Sequence, residues 1–259
     1  MRLVFLGTGT SYGVPQIGCE CRTCRSVDAR DRRTRSAVLI ESGGRRLLID
    51  TPPELRLQLV AAGVAMLDAV LFTHAHADHV HGIDDLRAIS VRQGAALDVY
   101  GAAGTLAELE RRFPYIFDHT PPQPGTSKPQ LAARALEPDC ETEIAGMPVR
   151  AVPLPHGTDT VLGFRVGSIA YLTDAKAVPE QARARLTGLE VLVLNALLPR
   201  PHPLHLSIPE AVAAAQQIGA RRTFLTHLTH DTPHAELAAR LPAGIAPAYD
   251  GLVVEVGAG

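Results

Sequence analysis

Short apolar runs recur along this chain, each bounded by glycine, proline or polar residues, and their lengths predict strands. The runs are Leu3–Leu6, Ala37–Ile40, Leu47–Ile49, Ala69–Phe72, Val149–Val152, Gly163–Val166, Ile169–Leu172, Val191–Leu194, Thr223–Leu225 and Leu252–Val256. Gly43-Gly44 separates segments 34–42 and 45–50 and predicts a hairpin. Helical periodicity covers Leu106–Phe113, Pro179–Leu186, Ser207–Ile218 and His234–Leu241. Ser207-Ile208-Pro209-Glu210 is a helix start, with Ser207 as N-cap, proline in the first turn and an acidic residue after it. Strands, a helical middle, then strands and helices again predict one α/β layered domain over 1–259. Residues 118–130 are rich in proline and polar side chains, which predicts a surface loop or lid edge.

Composition narrows the partners. Hydrophobic residues make up 46% and charged residues 20%, a globular balance. The formal net charge of -2 gives no general pull toward nucleic acid or an anionic membrane. No apolar run approaches the roughly 18 residues that span a bilayer. The apolar core of Met1–Gly7 is too short for a signal peptide, so a cytoplasmic protein is expected. Three of the 4 cysteines crowd at Cys19, Cys21 and Cys24, which in a reducing compartment points to metal binding.

The chemistry concentrates in Thr73-His74-Ala75-His76-Ala77-Asp78-His79, directly after the run Ala69–Phe72. Imidazoles and a carboxylate spaced His-x-His-x-Asp-His form a ligand set for a hydrolytic zinc or manganese centre. Further ligand types follow apolar segments downstream: His156 after Leu154-Pro155, Asp174 after Tyr171-Leu172-Thr173, and His227 after Phe224-Leu225-Thr226. Strand ends that share one sheet edge can bring such residues to a single point. His81, His119, His202 and His234 have no place in this series.

On that order of residues the chain resembles the metallo-β-lactamase superfamily over nearly its whole length. The resemblance implies a four-layer αβ/βα sandwich with two divalent metals, zinc or manganese, at one edge of its sheets. It implies that His74, His76 and His156 hold one metal, that Asp78, His79 and His227 hold the other, and that Asp174 bridges them. Asp50, after the run Leu47–Ile49, corresponds to a superfamily aspartate expected to orient the ligand loop.

Cys19-Glu20-Cys21-Arg22-Thr23-Cys24 supplies three thiols to a zinc that wants four ligands, and Cys140 or His230 could be the fourth. Within the superfamily, this motif and the preceding Gly7-Thr8-Gly9-Thr10-Ser11 resemble the phosphodiesterases of bacterial phosphonate breakdown, which open 5-phosphoribosyl 1,2-cyclic phosphate. That resemblance implies a structural zinc completed by His230. It also implies a cytoplasmic phosphoric diester hydrolase acting on a small cyclic phosphate, by a hydroxide shared between two metals, with Asp78 in the catalytic centre. Related 2′,3′-cyclic nucleotides fit the same chemistry. His205 is the expected phosphate contact and leaving-group acid, with His202 as its alternative. A homodimer is a further implication.

Rival activities share the fold. A tRNA 3′-processing endonuclease would need a basic arm, and no lysine- or arginine-rich insertion is visible. A thioester hydrolase would use the same activated water. A pyrroloquinoline-quinone biosynthesis accessory protein would carry an altered metal series, whereas this one is intact.

Overall fold

A computed structural model describes residues 1–118 and 120–257. His119 lies outside them. The strands β1 (Arg2–Gly7), β2 (Ala37–Ser42), β3 (Arg45–Ile49), β4 (Ala69–Leu71), β5 (Leu97–Gly101) and β6 (Leu131–Ala135) belong to one sheet. A second sheet takes β7 (Glu141–Ile144), β8 (Met147–His156), β9 (Asp159–Val166), β10 (Ile169–Leu172), β11 (Val191–Asn195), β12 (Arg222–Thr226) and β13 (Ile245–Pro247). The chain then returns, and β14 (Val253–Glu255) pairs antiparallel with β1. Both sheets are seven-stranded, ordered β14-β1-β2-β3-β4-β5-β6 and β13-β12-β11-β10-β9-β8-β7. Each is mixed: β3 to β6 and β10 to β13 run parallel, and the remaining pairs are antiparallel.

Strand alternation sets the layers. Phe5, Val38, Ile49 and Leu71 of the first sheet share one core with Val149, Phe164, Tyr171 and Val193 of the second. The opposite face of the first sheet, including Leu48, Val70 and Val99, packs on α1 (Leu55–Ala61), α2 (Ala77–Val80), α3 (Arg87–Gln93), α4 (Ala103–Arg112) and α5 (Pro114–Phe117). That of the second, including Ala170, Leu172 and Leu192, packs on α6 (Glu180–Ala184), α7 (Ile208–Ile218) and α8 (His234–Arg240). A one-residue slip would expose a whole face, and fully burying one Leu or Val is worth about 1.5–3 kcal/mol. The result is the expected four-layer α/β sandwich.

The hairpin forms at Gly43 and Gly44, both at positive φ (56° and 78°). Ser207 caps α7, and its side chain and that of Glu210 make a reciprocal capping box. The expected helical middle is corrected: β5 and β6 lie within it. Leu131-Ala132-Ala133-Arg134-Ala135 has helix-forming residues, but parallel pairing with β5 overrides that preference. Asp98 and Arg134, on adjoining strands, form an ion pair of 2.9 Å. The edge strands β7 and β13 are also absent from the apolar pattern, because Glu141, Glu143 and Pro247 interrupt it. Among the described residues, no helix is long and apolar enough to cross a membrane.

Candidate metal centre

The carboxyl ends of β3, β4, β8, β10 and β12 open on one edge of the paired sheets, and each delivers part of the site. Asp50 follows β3, the window 73–79 follows β4, His156 ends β8, and Asp174 and His227 follow β10 and β12. Asp50, Asp174 and His227 sit at positive φ (67°, 58° and 56°). This region disfavours side-chain-bearing residues, so the surrounding structure must hold it. At each position the chain turns sharply off its strand and aims the side chain inward.

Hydrogen bonds fix the loop after β4. Asp50 Oδ1 accepts from the backbone N–H of Thr73 at 2.9 Å, and Asp50 Oδ2 accepts from His79 Nδ1 at 2.7 Å. The Thr73 hydroxyl lies 2.9 Å from both Asp50 Oδ2 and His74 Nδ1. With that hydroxyl donating to Asp50, His74 Nδ1–H donates to Thr73. His156 Nδ1 donates to the carbonyl of Leu204 at 3.1 Å. Each bond engages Nδ1, which leaves Nε2 of His74, His79 and His156 free for a ligand. Gly82 donates to Thr51 O at 2.8 Å, and a Cβ there would stand 2.1 Å from Pro52 O. Only glycine lets the turn after α2 approach β3 so closely.

The ligand atoms converge. His74, His76 and His156 form one cluster and Asp78, His79 and His227 another, with the atoms of each within 4.8 Å of one another. Asp174 joins both sides: it clusters with His74 and His79, and also with His156 and His205. Its Oδ2 lies 3.2 Å from His79 Nε2, and its Oδ1 lies 3.3 Å from His227 Nε2. Rings of His79 and His227 stack at 5.9 Å.

Electrostatics favours cations here. Burial opposes charge on Asp174, but His227 and His79 hold its carboxyl well below the usual range. Burial likewise opposes ionisation of Asp78, and His227 and His79 outweigh it. Burial disfavours the imidazolium of His79, yet Asp174 and Asp50 raise its pKa well above the ordinary value. His74, buried and beside His79, is pushed well below. Nε2 of His74, His79 and His227 are buried without hydrogen-bond partners. Buried orphans of this kind are costly. Divalent cations would engage these nitrogens and balance the two carboxylates, so the donor set fits a dinuclear centre of zinc, manganese or iron type.

The sequence-predicted residues separate cleanly. His205 enters the site: its ring stacks on His227 at 5.0 Å and its Nδ1 lies 3.6 Å from Asp174 Oδ1. His202 stands behind it, 5.2 Å ring to ring. His81 caps α2 on the outside, edge-on to Phe113. His234 is buried elsewhere, 3.3 Å from Arg33. Three supporting residues had no role assigned from sequence. Thr73 links Asp50 to His74, and Ser11 donates to Asp78 Oδ2 at 2.7 Å. Asn195 grips both backbone groups of Ala175, beside Asp174, at 2.9 and 3.1 Å. Ser11 stood in the quoted glycine motif, and Asn195 ends an apolar run, but neither pattern states a partner.

The second cluster is Cys19, Cys21, Cys24 and His230, with thiols 3.2, 3.3 and 3.4 Å from His230 Nδ1. Cys140 is exposed and outside it. The backbone N–H of Cys24 holds the Cys21 thiol down at about 6, so Cys21 is thiolate near neutrality. Burial pushes Cys24 up to about 11. Four protein donors close the shell and fit a structural metal.

Residues 45–228 match the family model described as the β-lactamase superfamily domain. A solved structure described as a new diphosphatase from the PhnP family superposes with a TM-score of 0.91 at 39% identity, covering 98% of this chain and 97% of that one. The octanoyltransferase of Porphyromonas gingivalis is 41% identical over 255 residues, which are 97% of this chain and 51% of that protein. The chain therefore spans about half the length of that relative. Coenzyme PQQ synthesis protein B of Methylorubrum populi is 27% identical over 227 residues, 75% of this chain and 72% of that protein. With its two-sheet fold, its strand-end His/Asp clusters and these matches, the chain belongs to the metallo-β-lactamase superfamily and, within it, to the PhnP family.

Proposed function

We propose that this protein hydrolyses a P–O bond in a small phosphate compound, first a cyclic phosphodiester such as 5-phosphoribosyl 1,2-cyclic phosphate or a 2′,3′-cyclic nucleotide. The observation that carries this reading is the placement of Asp174 between two His/Asp clusters in which Nε2 of His74, His79 and His227 is buried without a partner. His74, His76 and His156 would hold one divalent ion, Asp78, His79 and His227 the second, and Asp174 would contact both. Such ions supply Lewis acidity and lower the pKa of a shared water to about 7. The chain orients them through the Nδ1 bonds and excludes solvent behind His79 and Asp174. An adjoining cleft of about 440 Å³, lined by His74, His76, Thr105, Arg112, His156 and Thr160, suits a small molecule.

His205 supplies the leaving-group side of the reaction. Burial and neighbouring His227 hold it down at about 3, so it is neutral in the resting site. A phosphate anion beside it opposes that shift, so on substrate binding His205 would take a proton from solvent, hold a phosphate oxygen as the imidazolium, and give that proton to the departing alkoxide, returning to the neutral ring. Replacing His205 with alanine should slow a cyclic ribose phosphate about 10²–10⁴-fold. A nitrophenyl phosphodiester, whose leaving group needs no proton, should slow far less. Equal losses on both substrates would remove His205 as the acid.

A second reading, hydrolysis of a diphosphate linkage, is favoured by the activity named for the 39%-identical solved relative. Purified protein assayed on cyclic ribose phosphates, cyclic nucleotides, diphosphates and acyl thioesters, with metal analysis of the same sample, decides between these. Turnover confined to thioesters, or none at all, would overturn the phosphate reading and favour the thioesterase or cofactor-assembly alternatives. A tRNA 3′-end would be the remaining substrate to test.

A further inference from the structure

Asp50 holds both halves of the His/Asp site through Thr73 and His79, and further bonds differ between them. His74 is fixed through Thr73, just after β4, and His156 through Leu204, on the loop before α7. The half containing Asp78 and His227 is tied instead to the N-terminal loop. Ser11 Oγ donates to Asp78 Oδ2 at 2.7 Å. Leu228, next to His227, donates its N–H to Thr8 O at 3.0 Å, and Gly9 bridges Leu228 and Arg35.

The same loop is closed by the cysteine cluster. Ser11 O accepts from Arg35 Nε at 3.0 Å, and Val14 and Arg33 exchange backbone bonds of 2.8 Å. The loop then runs to Cys19, Cys21 and Cys24, which meet His230, three residues beyond His227. The cysteine cluster is thus linked to the His227 segment through His230 and to Asp78 through the Ser11 loop, whereas the bonds that fix His74 and His156 run to Thr73 and Leu204.

We infer that Ser11 is a positioning residue through which the Cys19–Cys21–Cys24–His230 centre sets cation affinity at Asp78, His79 and His227 alone. Physically, the serine hydroxyl donates to the Asp78 oxygen, Oδ2, that faces Nε2 of His79 and His227 at 3.5 and 3.7 Å, and so fixes where that oxygen points. A ligand so fixed loses less freedom on binding a cation. Ser11 is exposed, so water can partly replace its hydroxyl, and an effect near the lower end of the usual ten- to hundredfold range is expected. The inference rests on the two-cation reading above.

Manganese, which prefers oxygen and nitrogen donors, is the probe, titrated into protein that carries zinc on its cysteines. Wild type should take two manganese ions per chain, and a wild type that takes none overturns both this inference and the functional reading. With two bound, the inference stands or falls by itself. In a His76→Ala background, which reports the Asp78 half, Ser11→Ala should weaken manganese binding about tenfold. In a His227→Ala background, which reports the His74 half, it should change nothing. Ser11→Thr should restore affinity, and Cys21→Ser should reproduce the selective loss. Unchanged melting and zinc content in Ser11→Ala would exclude general unfolding. Equal weakening in both backgrounds, or no weakening in either, overturns the inference.

Discussion

Replacing Asp174 with alanine should cut turnover of an activated phosphodiester on the order of a thousandfold, while the sheets stay folded. Asp174 is the only carboxylate in the described site that clusters on both sides of it. Without it, His79 and His227 lose the anion 3.2 and 3.3 Å from their Nε2 atoms. The contribution of such an ion-holding group is several kcal/mol, and about 1.4 kcal/mol corresponds to a decade in rate. Alanine at a φ of 58° also costs about 1–2 kcal/mol of backbone strain. Asparagine tolerates that backbone and is the better control. Asp174→Asn should melt close to wild type yet bind fewer than two cations per chain. Steady-state kinetics with elemental analysis would check this, and full turnover in either variant would end the bridging role.

Cys21→Ser should remove one zinc per chain and lower the melting temperature by on the order of 10 °C. A cation that binds only the folded chain stabilises it by mass action, and about 3 kcal/mol is reached near a hundredfold excess over Kd. For a chain of this size each kcal/mol moves melting by about 2–4 °C. The serine hydroxyl stays protonated, whereas the Cys21 thiol is held down at about 6 by the Cys24 backbone N–H. The loop over residues 10–30 should also become a site of limited proteolysis, because its cross-links to His230 disappear. Calorimetry and zinc analysis on the same sample test this. An unchanged melting curve with zinc still bound would show that the cluster does not depend on Cys21.

The order and spacing of His74, His76, Asp78, His79, His156, Asp174 and His227 marked these residues in the sequence as candidates for one site, and the fold gathers them. The cysteine motif was equally plain, since three thiols within six positions have few other uses. Local pattern also sufficed for the core strands and for α7, whose capping box is written in Ser207 and Glu210. Pairing across distance was not legible. The strands β5, β6, β7 and β13 exist because neighbours in the sheet supply their hydrogen bonds, and their own residues do not announce it.

The site divides in the same way. Residue types and order determined that this chain could gather imidazoles, carboxylates and thiols into two centres. Residue types left Cys140 and His202 open and resemblance alone preferred His230 and His205; the tertiary structure clusters His230 with the three thiols, stacks His205 on His227 and sets Asp174 against both halves. Only it joined Ser11 to Asp78 across 67 positions. The physical reason is that ligand chemistry is a property of single side chains, whereas orientation depends on which strand ends share an edge and on the backbone turns that hold Asp50, Asp174 and His227 off their strands.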